Sequence, residues 1–159
     1  MTDVEAYRRL SEDIASAIAV VTTRSGRWDV AATIDSFLDV SYDPPTMLLS
    51  LYGQSRICEA LEDSGSCVLN VLADTQRDLS DRFGTPGLPL QGMLTGVPHE
   101  RDASGNAILT GALAHFSLDV QSVHSAATHQ LFVCSVTRSL PGSGRRPAIR
   151  YSQRHHDLA

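Results

Sequence analysis

The sequence lacks the features of several large classes of proteins. It has no apolar run near the roughly 20 residues that a membrane-spanning helix needs, and its start, residues 1–10, is too polar for a signal peptide. Acidic residues outnumber basic ones by 18 to 13, which gives a formal net charge of −5 at pH 7. Electrostatics therefore support neither a nucleic acid nor a membrane as a partner, and we expect a cytoplasmic protein.

Cysteine is also scarce, and the three that occur, Cys58, Cys67 and Cys134, form no CxxC pair or other ligand spacing. Because their number is odd and free cysteine is usually buried, we expect buried thiols without a redox or metal role. The adjacent His155 and His156 would face opposite sides of a strand, and no acidic or cysteine pattern completes a ligand set. The sequence therefore predicts no metal.

What the chain does contain is enough apolar sequence for one core. Its 159 residues are 42% hydrophobic, with no internal repeat and no break in composition, so we expect a single domain over residues 1–159. Few signals of parallel βαβ units occur, and the predicted fold is mainly β, a six- to seven-stranded antiparallel barrel with short helices at its ends. Apolar or β-branched segments bounded by turn residues predict strands over 17–23, 28–36, 46–52, 66–72, 107–123, 130–140 and 148–152.

The first helix is predicted from hydrophobic periodicity near the start of the chain. Apolar residues at steps of three and four indicate a helix with one buried face. Its N-cap would be Thr2 or Asp3, because both side chains can accept a hydrogen bond from the first turn. The apolar residues of this pattern are Val4, Tyr7, Leu10, Ile14 and Ile18.

Two further helices and a long loop are predicted from local signals. Ser55 is the expected N-cap of a short helix, and Thr75 with Asp78 resembles a capping box for a helix over 76–83. Residues 85–106 are rich in glycine and proline, which predicts an exposed loop. Loops of this length in a compact domain are usually functional lids or mobile segments.

The stretch 28–56 combines the features of a nucleotide site. A strand ends in small polar residues over 33–36, and a rigid corner with two prolines follows over 43–45. A second apolar strand then leads to Ser55 and Arg56 at the start of a helix, where unpaired N–H groups and a guanidinium favour an anion. Such a stretch could hold a flat polar ring and an anionic tail together.

An ordered set of motifs along nearly the whole chain resembles the flavin reductase family, which has the FMN-binding split-barrel fold with Greek-key connectivity. The motifs are Ala-Val-Val-Thr-Thr at 19–23, Thr-Ile-Asp-Ser-Phe at 33–37, Val-Ser-Tyr-Asp-Pro-Pro at 40–45, Ser-Gly-Ser-Cys-Val-Leu-Asn-Val-Leu at 64–72 with Gln76 and Phe83, Leu-Thr-Gly-Ala-Leu-Ala at 109–114, and His129. The resemblance implies a homodimeric NAD(P)H:flavin oxidoreductase. Such an enzyme oxidises NADH or NADPH, reduces FMN or FAD, and often supplies reduced flavin to a partner monooxygenase.

The resemblance also implies roles for particular residues. The flavin ring and ribityl chain would lie against residues 33–36, the phosphate would bind at Ser55 and Arg56, and His129 would contact the nicotinamide as the catalytic residue. A missing triad or metal does not count against this activity, because the cofactors carry out the hydride transfer. The predicted cofactor-binding residues are Thr33, Ile34, Asp35, Ser36, Ser50, Leu51, Tyr52, Ser55, Arg56, Phe83, Thr128 and Tyr151.

Two departures from the family pattern keep alternatives open. Asp35 stands where a neutral residue is more common, and an ionised carboxylate would disfavour the anionic reduced flavin. The sequence reads Ala127-Thr128-His129 in place of the family's Gly-Asp-His. A flavin-binding protein with altered or lost nicotinamide use therefore remains possible, as does a non-catalytic interaction subunit. Without a glycine-rich dinucleotide fingerprint, neither FMN nor FAD is favoured, and neither NADH nor NADPH.

Overall fold

The computed structural model describes residues 3–158 of the chain, which form short helices and many strands. The elements follow in the order α1 (Val4–Ser11), β1 (Ser16–Ala17), β2 (Ala19–Ser25), β3 (Trp28–Ile34), β4 (Phe37–Tyr42), β5 (Pro45–Tyr52), α2 (Arg56–Ser64), β6 (Ser66–Val71), α3 (Arg77–Gly84), β7 (His99–Arg101), β8 (Ala107–Leu109), β9 (Ala114–Ala126), β10 (His129–Pro141), β11 (Ile149–Tyr151) and β12 (Arg154–His156). A 3₁₀ turn, Asp74–Gln76, precedes α3.

Seven strands form one antiparallel sheet in the order β3-β2-β6-β9-β10-β5-β4. The edge strands β3 and β4 are consecutive in the chain and are joined only by Asp35 and Ser36. Beyond this link, the N–H of Ser50 donates to the carbonyl of Ser36 at 2.9 Å. The sheet curls so that its edges meet at the link while the remaining seam stays unpaired. The predicted antiparallel split β-barrel, mainly β with short helices, is confirmed, although β4 itself was not among the predicted strands.

The interior of the barrel is an apolar core closed by one helix. Phe132 and Leu49, from neighbouring strands, are fully buried there. Helix α2 contributes Ile57 and Leu61 to the same cluster. Ser55 caps this helix, because its Oγ accepts from the N–H of Cys58 at 3.3 Å, as predicted from the sequence. The cap at its start and the packing of its buried face together set the position and the orientation of α2.

A second core lies on the outer face of β2, which explains why both faces of that strand are apolar. Val20 packs there against Phe83 of α3 and against the segment 85–106. The predicted exposed loop over 85–106 is confirmed for most of the segment, but not for its apolar side chains. Met93, Leu94 and Val97 are 5–6% exposed, and the segment contains strand β7, which pairs with β8. Apolar side chains between its glycine turns cover the barrel wall and bury it from water.

The first helix is shorter than predicted, and its apolar face is not buried. Asp3 is the N-cap, accepting from the N–H of Glu5 and Ala6, and α1 already ends at Ser11. The alternative cap, Thr2, lies outside the described residues. Three residues of the predicted stripe lie on an exposed face of α1, and a fourth lies beyond its end; they are exposed by 59–77%: Val4, Tyr7, Leu10 and Ile14. The fifth, Ile18, is buried outside the helix.

Three further boundaries differ from the sequence predictions. The predicted capping box of Thr75 and Asp78 is wrong, because the side chain of Gln76 instead accepts from the N–H of Ala73 at 3.1 Å. The predicted strand 107–123 is two strands, separated at Gly111, whose φ of 92° favours glycine. The predicted last strand, 148–152, is the hairpin β11–β12 with a tight turn. Within residues 3–158, no helix is long and apolar enough to cross a membrane.

The three cysteines are free and buried, as predicted. Cys67 and Cys134 are completely inaccessible in the barrel core. Burial raises the pKa of the Cys134 thiol to about 12 and also raises the pKa of Cys67. Both thiols are therefore protonated at neutral pH and chemically inert.

A buried polar network ties four strands together around Asn70. The Asn70 Oδ1 accepts from the N–H of Leu109 at 2.8 Å and from the Nδ1 of His115 at 3.0 Å. Its Nδ2 donates to the carbonyl of Val20 and to the Oγ1 of Thr22. Because burial disfavours the charged imidazolium, it lowers the pKa of His115 from the ordinary value of 6.5.

Protonation of His115 is expected to weaken the fold in mild acid. Its lowered folded-state pKa means that the neutral ring stabilises the fold fully above about pH 6.5, and that this contribution is lost as pH falls through the folded pKa. We expect the urea midpoint of the unmodified protein to fall between about pH 7.5 and about pH 5. His115→Gln keeps a donor for Asn70 but cannot be protonated, so it should flatten that fall.

His124→Gln is the control for this experiment, because His124 is exposed. We expect its urea midpoint to follow the pH dependence of the unmodified protein. A His115→Gln protein with an unchanged pH dependence would contradict the role assigned to the buried ring.

Candidate functional site

The end of β3 and its link to β4 form the centre of the candidate site. Thr33 is fixed by its Oγ1, which donates to the carbonyl of Ser80 in α3 at 2.8 Å. Ile34, Asp35 and Ser36 continue from there to the barrel seam. They expose polar atoms on a surface that two clefts share. The four predicted ring-binding residues therefore lie together, at the junction of β3, β4 and α3.

Two clefts open on either side of this link. The larger cleft has a volume of about 460 Å³ and lies between the end of β3, the end of α3 and the hairpin β11–β12. The smaller cleft, of about 370 Å³, lies between the same hairpin and the residues that follow α1. Asp35, Arg150 and Gln153 contribute to the walls of both. These three side chains therefore form the partition between the two clefts.

The end of β5 contacts the link and leads, through residues 53–55, to the start of α2. Ser50 contacts Ser36 through the main-chain hydrogen bond described above, and the Ser55 Oγ also donates to the carbonyl of Tyr52 at 2.6 Å. Arg56 donates to the carbonyl of Leu88, so the segment after α3 reaches the helix N-terminus. Neither Ser55 nor Arg56 lines either of the two clefts, and the predicted phosphate-binding residues are joined to the predicted ring-binding residues only through β5.

His129 begins β10 and pairs with Tyr52 at the end of β5. The two rings are in an edge-on arrangement, with centroids 5.9 Å apart. The Oγ1 of Thr128 forms a hydrogen bond with His129 Nδ1 at 3.0 Å, and the carbonyl of Thr128 accepts from the N–H of Gly53. Both residues are exposed. His129 is thus adjacent to Tyr52, which is 77 positions earlier in the sequence and is one of the predicted cofactor-binding residues.

Two predicted cofactor residues have buried side chains, whereas a third, Tyr151, is exposed in a cleft. The side chains of Leu51 and Phe83 are 2% and 4% exposed and belong to the two cores. Leu51 can therefore meet a ligand only through its main chain, and Phe83 supports the cleft from behind. Tyr151 is 41% exposed and lines the smaller cleft, where its ring lies 5.5 Å from that of His156.

The hairpin β11–β12 supplies charged side chains that the sequence analysis did not include in the site. Arg150 Nη1 lies 3.4 Å from Asp35 Oδ2, and His155 Nε2 lies 3.3 Å from Asp81 Oδ1. Arg154 also lines the larger cleft. The turn of this hairpin has positive φ at Ser152 and Gln153 without glycine or asparagine. The usual turn signal is therefore missing, and no local pattern indicated that these residues reach the cleft.

The Nδ1 of His155 is the one buried side-chain nitrogen or oxygen among residues 3–158 that has no hydrogen-bond partner. His155 lines the larger cleft, but this atom has almost no accessible surface. The neighbouring His156 instead contacts the carbonyl of Tyr151 at 3.0 Å. Across the same residues there is no group of three or more histidine, cysteine or acidic side chains that could hold a metal ion.

Comparison with known families gives this geometry a context. Residues 10–158 match the model of the flavin reductase like domain. The chain belongs to this family. The match includes the link between β3 and β4, the start of α2 and the hairpin β11–β12, so each part of the candidate site lies within the family's domain.

Individual relatives agree with the family match over nearly their full length. An FMN reductase (NADH), RutF, of Ancylobacter novellus is 30% identical over 155 residues, which cover 98% of this chain and 85% of the relative. The reductase subunit HsaB of a flavin-dependent monooxygenase from Mycobacterium tuberculosis is 29% identical, covering 94% and 79%. The crystal structure of BorF, the flavin reductase component of a bacterial two-component tryptophan halogenase, superposes with a TM-score of 0.90 at 26% identity, covering 98% of each chain.

The donor set of the candidate site fits a flavin with a phosphate tail. The first N–H groups of a helix have no intrahelical acceptor, and Ser55 occupies that of Cys58. Those of Arg56 and Ile57 remain for an anion, together with the Arg56 guanidinium. A ring beside Ser36 would meet small hydroxyls and main-chain groups at an open seam. These are the polar partners that a flavin rim requires.

Proposed function

We propose that this protein is an NAD(P)H:flavin oxidoreductase that reduces FMN or FAD and supplies the reduced flavin to a partner monooxygenase. One observation carries the proposal: His129 lies beside the strand end that leads from Ser50 to the capped start of α2. In a chain of the flavin reductase family, this adjacency would bring a nicotinamide at His129 close to a flavin whose phosphate is held at the start of α2.

The bound flavin would supply the chemistry by accepting a hydride from the nicotinamide. The residues of this chain bind and orient the reactants. Main-chain groups over 34–36 hold the ring rim, while Ser55 and Arg56 hold the phosphate at the start of α2. His129 contacts the nicotinamide and aligns it, and alignment is the main contribution that such a site makes to the rate.

We further propose that NADH is the hydride donor and FMN the flavin. Relatives that share 26–30% identity with the chain are FMN reductases (NADH) by name. The recipient of reduced flavin would be a monooxygenase, as for HsaB, and a cytoplasmic location would give access to NADH.

A homodimer is also proposed, because apolar side chains lie unpartnered on the outside of the barrel. The register of β4, β5 and β10 places Leu38, Leu48 and Val133 in one row across three strands. Leu38 is 56% exposed, and Tyr42 on the same edge strand is 86% exposed. A second copy of the chain would cover this row and the exposed stripe of α1, which a soluble monomer rarely leaves open.

The proposed reaction predicts that protein loaded with FMN loses its yellow absorbance when NADH is added under anaerobic conditions. His129→Ala should slow this bleaching by about 10- to 100-fold, because the nicotinamide loses its alignment. Stopped-flow absorbance at the flavin band measures both rates. Bleaching by dithionite is the control and should be equal in the two proteins. Failure of the unmodified protein to bleach with either nicotinamide would overturn the reductase assignment.

The proposed phosphate site predicts a difference between flavins with and without a phosphate. Arg56→Met should raise the dissociation constant of FMN by about tenfold or more, since a charge-assisted hydrogen bond is lost. Riboflavin has the same ring without the phosphate, so its dissociation constant should stay within about twofold in both proteins. Quenching of flavin fluorescence measures each constant. Equal weakening of both flavins would place the phosphate elsewhere.

The proposed dimer predicts twice the chain mass by light scattering at micromolar concentration. Leu38→Asp should shift the mass toward one chain, because it places a charge in the apolar row. Leu158→Asp serves as the matched control, since Leu158 is 48% exposed near the other end of the chain. A monomeric unmodified protein would rule out the dimer.

A further inference from the structure

The departure at Asp35 has a partner that the sequence did not reveal. Asp35 lies in the link between β3 and β4, and Arg150 lies on β11, 115 positions later. The Arg150 Nη1 is 3.4 Å from the Asp35 Oδ2, and the two side chains are 44% and 38% exposed. The Asp35 Oδ1 also accepts from the Ser36 Oγ at 3.3 Å. The carboxylate that departs from the family pattern is therefore compensated by a cation from another element.

Arg150 is held in this position from its other side. Its Nη2 donates to the Gln153 Oε1 at 2.6 Å, and the Gln153 Nε2 donates to the Glu12 Oε1 at 3.2 Å. In addition, the N–H of Ser152 donates to the carbonyl of Glu12 at 3.1 Å. This chain of contacts joins the segment after α1, the hairpin β11–β12 and the barrel link. The guanidinium is thus fixed between two acceptors, and its orientation toward Asp35 does not depend on one weak ion pair.

Reduction of a flavin changes its charge near this pair. Oxidised flavin rings are neutral, whereas the reduced ring is an anion near neutral pH. An unpaired carboxylate beside the ring would repel the reduced form more than the oxidised form, and a nearby cation would do the opposite. With Arg150 in contact, the pair as a whole carries no net charge. Any remaining effect on the reduced ring is then small.

We propose that Arg150 is a positioning residue of the flavin site, which acts through Asp35 to cancel the repulsion between this carboxylate and the anionic reduced flavin. This inference rests on the proposed function, because it requires flavin beside residues 33–36. Arg150 and Asp35 act as a pair. Asp35 alone would favour binding of the oxidised flavin, and Arg150 alone would favour binding of the reduced flavin.

The test compares the dissociation constants of oxidised and reduced FMN. Oxidised FMN is titrated by fluorescence quenching, and dithionite-reduced FMN is titrated anaerobically with tryptophan fluorescence as the signal. In Arg150→Met, the constant for reduced FMN should rise about fivefold more than the constant for oxidised FMN, the size expected for a partly exposed charge pair. Asp35→Asn should shift the ratio the opposite way. The double variant should return it close to that of the unmodified protein.

Two controls separate charge compensation from a merely structural role. Arg150→Lys keeps the charge and should retain the ratio of the unmodified protein. Arg138→Met removes an exposed cation that lines neither cleft, and should leave the ratio unchanged. If Arg150→Met weakens both flavin forms equally, or leaves the ratio as it is, the inference is wrong. Asp35→Asn tests the same ratio independently, should Arg150→Met not fold.

The failure of this inference differs from the failure of the proposed function. An unmodified protein that binds no flavin would refute both. An unmodified protein that binds FMN and bleaches with NADH, with a ratio unaffected by Arg150→Met, would refute only the pairing of Arg150 with Asp35 as a charge device.

Discussion

The link between β3 and β4 constrains the rest of the fold, because Asp35 and Ser36 alone join opposite edges of a seven-stranded sheet. In a flat sheet, six strand spacings of about 4.8 Å would separate these edges by about 29 Å. The three Cα–Cα steps from Ile34 to Phe37 span at most about 11 Å. The sheet must therefore curl until its edges meet, and the barrel remains split where β3 and β4 do not pair.

This closure also leaves main-chain groups free at the seam. An unpaired edge exposes main-chain N–H and C=O groups, and here the hydrogen bond between Ser50 and Ser36 holds the end of β5 at that edge. Residues 53–55 lead from there to the start of α2. The main-chain contacts of the proposed flavin site thus follow from a topological requirement and not from the choice of particular side chains.

Local chemistry explains which features the sequence could predict. The cap at Ser55 and the strand at 46–52 depend on neighbouring residues, and both predictions are confirmed within about one residue. Periodicity in α1 correctly predicted an apolar stripe, but periodicity does not specify what covers it, and the stripe is exposed. The buried Met93 and the Asp35–Arg150 pair depend on contacts with distant parts of the chain. Composition indicated the loop around Met93 but not the burial of this side chain, and it indicated no partner for the charge of Asp35.

Buried polar groups in the barrel wall have hydrogen-bond partners, whereas one in the hairpin β11–β12 has none among the described residues, and this difference supports the location of the site. Asn70 and His115 are buried in the barrel wall, but each has a protein partner, so their role is structural. His155 is less buried, with 24% of its side chain exposed, but its Nδ1 is inaccessible and has no partner within residues 3–158. Leaving such a group unsatisfied costs stability, and His155 lines the same cleft as Asp35 and Arg150. The polar groups of the barrel wall are thus paired within the fold, whereas the unpaired one belongs to the hairpin that borders the candidate site.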